Sequence, residues 1–66
     1  MPDTTQDFEA GLLSKHTGLR KPACLAWMKA NNVQHLTDLK DRWAPATFGE
    51  AMARAQTEIE DFILSR

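Results

Sequence analysis

A single cysteine, Cys24, rules out an intramolecular disulfide and leaves neither a CxxC pair nor a Cys/His zinc framework to be built. The two histidines, His16 and His35, have no partners at ligand spacing, so no metal site is expected. No unbroken apolar run approaches the ~20 residues needed to cross a bilayer. The opening MPDTTQDFE is polar and acidic, without the basic and apolar regions of a signal peptide, and a reducing, cytoplasmic setting is expected. No stretch alternates with period two, and no hairpin dipeptide is present, so strands are not expected. Paired carboxylates and a phosphate-binding loop are also missing. Neither catalysis nor a cofactor is expected.

What is present is helical grammar in a small frame. A chain of 66 residues makes one domain, 1–66, whose single core rarely supplies more than about 3–5 kcal/mol. Met1–Thr4 are expected to be disordered. Thr4 or Thr5 is the candidate cap of a first helix, with Asp7 and Glu9 in its opening turn and Phe8, Leu12 and Leu13 on its inner face. Gly18 suits the left-handed residue that ends it. Pro22 suits the first position of a second helix, with Cys24, Leu25, Trp27 and Met28 inward and Asn31-Asn32 at its exit. A short third helix is predicted from about Thr37 to Trp43, with Thr37 as cap, ending before Pro45. Thr47 and Glu50 form a capping box for a long last helix reaching about Leu64. The predicted fold is all-α: a compact three- to four-helix domain with a helix–glycine–helix corner and a long C-terminal helix.

Charge is segregated along the chain. Residues 10–37 hold four bases (Lys15, Arg20, Lys21, Lys29) and no acid, whereas residues 1–9 hold three acids and no base. The formal net charge is −1, and the isoelectric point near 6.0 speaks against a strong phosphate-binding surface.

Ser14, Gly18, Leu19, Ala23, Cys24 and Trp27 fall at the places where a helix-turn-helix needs its small, turn and inner-face residues. Over residues 14–28 the chain therefore resembles the helix-turn-helix of phage-type repressors and excisionase-like regulators. That resemblance implies a regulator binding DNA through Lys15, Arg20, Lys21 and Lys29. Residues 18–39 also resemble the helix-hairpin-helix pattern, with Val33, Leu36, Asp38 and Leu39 in its second part and Arg20 where the second glycine is expected. That pattern implies contacts to the DNA backbone without sequence reading.

The last helix offers a reading of another class. Phe48, Met52, Ala55, Ile59 and Phe62 recur at spacings of four, three, four and three. The stripe is the main core face, or else Phe48, Met52, Ile59 and Phe62 form a homodimer seam or a protein partner's docking face. Trp27 and Trp43 are core anchors that become interface hot spots where exposed. DNA binding is the leading expectation. A helical adaptor or inhibitor that touches only protein is the alternative.

Overall fold

The computed structural model describes residues 5–65, and the described chain is all-α. Helix α1 spans Thr5–Thr17, α2 Lys21–Ala30, α3 Thr37–Arg42 and α4 Phe48–Leu64. The expectations for Met1–Thr4, including a cap at Thr4, lie outside the described residues.

Helix α1 ends where glycine allows it. Gly18 sits at φ +75°, in the left-handed region, and its N–H bonds the Ser14 carbonyl at 2.8 Å. Two hydroxyls complete the turn: Ser14 donates to the Leu19 carbonyl, and Thr17 Oγ1 accepts from the Leu19 N–H at 3.3 Å. The turn residues 18–20 then hand over to α2, with Arg20 as N-cap and Pro22 at the second helical position rather than the first. This one-residue difference costs nothing, because the opening N–H groups of a helix lack intrahelical acceptors. At the far end of α2, Asn32 is left-handed at φ 57°. Its N–H bonds Lys29 O at 3.3 Å, and the Val33 N–H bonds Met28 O at 2.8 Å. That pair of bonds is a Schellman exit, with Val33 and Met28 both buried.

The inner face of α1 differs from expectation. Ala10, Leu13 and Thr17 are buried, at spacings of three and four, while Leu12 is half-buried and Phe8 is 66% exposed. Phe8 lies two residues from Ala10, on the opposite side of the helix, so both cannot face the core. Small Ala10 permits the close approach. Side chains of α1 also hold the connection after α2: Gln6 Nε2 donates to Val33 O at 2.8 Å, and the Glu9 carboxylate accepts from the Leu36 N–H at 2.9 Å. Glu9 thus serves a loop amide rather than its own helix terminus.

Thr37 does not cap α3. The cap position is Leu36, and Asp38 Oδ2 accepts from the N–H groups of Gln34 and His35 at 3.2 and 3.1 Å. A carboxylate reaching back to two amides outcompetes a single hydroxyl. Among the described helices α3 packs only on α4, burying Leu39. The Ala44–Pro45 peptide that follows is cis. Helix α4 opens with the expected capping box, in which the Glu50 N–H donates to Thr47 Oγ1 at 3.1 Å and the Thr47 N–H to Glu50 Oε1 at 2.9 Å. Its stripe of Ala51, Met52, Ala55 and Ile59 closes the core over Leu13, Cys24, Trp27, Met28 and Leu39.

Two features of the fold are directly testable. Gly18→Ala introduces no clash, since no atom lies within 4 Å of the added Cβ, so its cost is conformational alone, about 1 kcal/mol in urea unfolding. Thr47→Ala removes the cap of α4 and costs about 1 kcal/mol as well. The Thr47 amide holds the Glu50 carboxyl below its ordinary range. This contribution is complete above the usual glutamate pKa and is lost as pH falls through the lowered value. Glu50→Gln should flatten that part of the acid limb of stability against pH.

Candidate functional site

Of the four bases expected to meet DNA, Lys15 and Lys21 share one groove, and Arg20 and Lys29 lie outside it. Lys15 and Lys21 border an open groove along α1 that also contains Asp7, Phe8, Gly11 and Leu12. Within it, Lys21 Nζ pairs with Asp7 Oδ2 at 3.1 Å, both side chains about half exposed. Arg20 borders a different hollow, with Leu19, Pro22, Ala23 and Ile63. Lys29 lies in the last turn of α2, about 12 Å along the axis from Lys21. Helix α2, the element that would enter a groove, has the sequence KPACLAWMKA. It carries only two long polar side chains, Lys21 and Lys29, and the first is held by Asp7. Pro22, Ala26 and Ala30 have no side-chain donor or acceptor with which to read a base edge.

The expected partner face on α4 is largely interior. Ile59 is fully buried and Met52 nearly so, both within the monomer's own core, which removes them from any seam with a second chain. Phe62 is half-buried against that core. Phe48 remains at the surface, 37% exposed, with the His16 ring edge-on to it at 5.1 Å. The four-three repeat marked the inward stripe, and inward is where the helix spends it.

Trp27 is buried, and Trp43 is half-buried with its ring centroid 6.2 Å from that of Trp27. Two guanidinium groups lie over the Trp43 ring, Arg54 at 5.5 Å and Arg42 at 5.9 Å, and Arg42 also donates to Asn31 Oδ1 at 3.1 Å. The sequence reading missed both arginines as partners of this ring. For Arg54, the eleven-residue separation from Trp43 hides the contact. Trp43 thereby joins the exit of α2 to α4 more than it offers a bare hot spot.

Cys24 is fully buried, and the thiol lies 4.0 Å from Thr17 Oγ1, which donates to the Leu13 carbonyl at 2.8 Å. Burial pushes the Cys24 thiol above its ordinary pKa, the reverse of what a nucleophile needs. Among the described residues no cluster of three His, Cys, Asp or Glu side chains is placed to hold a metal ion. No helix of the described chain is long and apolar enough to cross a membrane.

The large apolar side chains left at the surface are Phe8 at 66%, Ile63 at 45%, Leu64 at 83% and Phe48. Phe8, Ile63 and Leu64 were not singled out as surface groups by the sequence reading. Helix period could have pointed to Leu64, which lies about 140° round α4 from Ile59 and so off the inward stripe. Comparison with family models, curated proteins and solved structures finds no match to the chain.

Thiol chemistry tests the buried site. Ellman's reagent should modify Cys24 at least roughly a hundredfold more slowly in native buffer than in urea, because access requires opening against a stability of about 3–5 kcal/mol. Fast native modification would show that α1 and α2 separate readily.

Proposed function

We propose that this chain is a non-enzymatic helical module that binds another protein, with the groove along α1 as its docking face. The observation carrying this reading is the contrast between two surfaces. Helix α2 presents almost nothing that could read a base edge, whereas Phe8 stands bare beside two lysines. Gly11 has no side chain, so the floor between Phe8 and Leu12 stays open, and Lys15 and Lys21 border it. An amphipathic segment with apolar anchors and acidic flanks is the complementary ligand: its apolar face covers Phe8 and its carboxylates meet the lysines. The Asp7–Lys21 pair is exposed, worth about 0–1 kcal/mol, and readily exchanged for a partner's carboxylate.

DNA binding remains the competing proposal, and one experiment separates the two. A labelled mixed-sequence duplex should show no salt-steep anisotropy change, while a Leu/Glu-rich amphipathic peptide should perturb the amide resonances of Phe8, Gly11, Lys15 and Lys21. Phe8→Ser should weaken the peptide about tenfold without altering helicity, consistent with losing one aromatic anchor. Duplex binding that falls steeply with salt, and falls again in Arg20→Ala/Lys21→Ala, would reverse the choice.

A further inference from the structure

The two lysines of the α1 groove are held differently. Asp7, Gly11 and Lys15 follow one another at four-residue spacing and form one ridge of α1, with Gly11 as the gap in it. Lys21, the first residue of α2, reaches into that gap. Its Cε lies 3.9 Å from the position a Cβ on Gly11 would take, and its Nζ continues to Asp7 Oδ2 at 3.1 Å. Apart from the chain neighbours of Gly11 and the backbone of α1, no other atom of the described residues comes within 4 Å of that position. Lys15, at the other end of the ridge, has no ion pair among the described residues. One lysine is free, and the other is tied down over the glycine.

We propose that Lys21 is a latch on the groove, an inference that rests on the protein-docking reading. In the free protein the latch lays its methylene stem against Gly11 and gives its charge to Asp7. The room left by the absent side chain at Gly11 is thus taken by the chain's own lysine. A partner carboxylate that accepts from Nζ in place of Asp7 draws the stem off Gly11. The uncovered backbone, which shares the groove with Phe8 and Leu12, then receives an apolar side chain of the partner. One ligand must carry both groups: a carboxylate to open the latch and an apolar side chain to fill the place it leaves. An apolar segment without carboxylates meets the latch closed. Preference for acidic segments therefore has two sources, attraction by Lys15 and release of Lys21. An exposed ion pair is a light latch, and holding it closed lowers affinity by at most about fivefold.

The latch is tested first in the free protein, then with ligands. Without any ligand, the Lys21 Hε protons should show a nuclear Overhauser effect to the Gly11 Hα protons, and Asp7→Asn should weaken it. Affinities are then read by amide-shift titration with two amphipathic peptides of equal length, one Leu/Glu-rich and one Leu/Gln-rich. Lys21→Ala should bind the Leu/Gln-rich peptide about two- to fivefold more tightly than the wild type, since no side chain has to leave Gly11. The same variant should bind the Leu/Glu-rich peptide more weakly, because a charge partner is gone. Asp7→Asn frees the latch and keeps its charge, so it should tighten both peptides. Helicity should be unchanged in both variants. A Lys21→Ala protein that binds the Leu/Gln-rich peptide no better than the wild type overturns the latch and leaves the docking reading standing. Absence of the Overhauser effect in the free wild type does the same. If neither peptide shifts Phe8 or Gly11 in the wild type or either variant, the docking reading fails and the latch falls with it.

Discussion

The constraint on which the rest of this structure depends is the left-handed turn at Gly18. It folds α2 back on α1, and the two helices enclose the interior between Leu13, Thr17 and Cys24. Neither helix is long enough to persist alone in water, so each depends on the other's apolar face. The hydroxyls of Ser14 and Thr17 satisfy backbone groups at the corner that would otherwise be stranded as the chain reverses. With the corner in place, Trp27 and Met28 face the space that α4 closes. Had the reversal failed, α4 would have no surface on which to bury Ala51, Met52, Ala55 and Ile59.

A chain this small cannot rely on apolar burial alone, and polar groups fix what the core does not reach. The connection from Val33 to Leu36 is tied to α1 by Gln6 and Glu9 and to α3 by Asp38. These bonds place buried Val33 and Leu36 against the core. Each partner is a side chain long enough, or charged enough, to satisfy a loop amide or carbonyl that has no helix to serve it. Trp43 acts similarly on the other side, with its ring against Trp27 and beneath two guanidinium groups. The short α3 is therefore a strut held at both ends and gains little from its own length.

Much of this fold was legible in the sequence, for reasons that separate cleanly from what was not. Gly18, the Thr47/Glu50 box and the Asn31-Asn32 exit are local signals, each written within a few residues, and each stands where the chain required it. The face of α1 was misread because apolar size suggested Phe8, whereas the residues the core takes from it are Ala10, Leu13 and Thr17. Thr37 was misread because the competing acceptor, Asp38, sits inside the helix and reaches backward. The α4 stripe was read correctly as a stripe, but a periodic pattern does not say whether its covering belongs to the same chain. Met52 and Ile59 are covered from within; Ile63 and Leu64, one turn further, are not. Leu64, five residues past Ile59, lies about 140° round the helix from it and so off the stripe, while Ile63 borders Leu19, Pro22 and Ala23 at the start of α2.

The same distinction governs the charges. Four bases within 28 residues with no acid among them suggest a continuous positive face when the chain is viewed as a line. Folding breaks the line at Gly18: Lys15 and Lys21 come to one groove, where Lys21 meets Asp7, brought from 14 residues away, while Arg20 lines a hollow shared with Ile63 and Lys29 goes to the far end of α2. Nucleic acid offers a regular array of phosphates and rewards bases aligned along it. Protein surfaces reward a few apolar anchors with charge placed around them. The described surface carries exposed apolar side chains at Phe8 and at Ile63 and Leu64, each with charged side chains nearby. The Phe8 groove is edged by Asp7, Lys15 and Lys21, and the hollows at Ile63 by Arg20 in one and by Glu60 and Asp61 in the other.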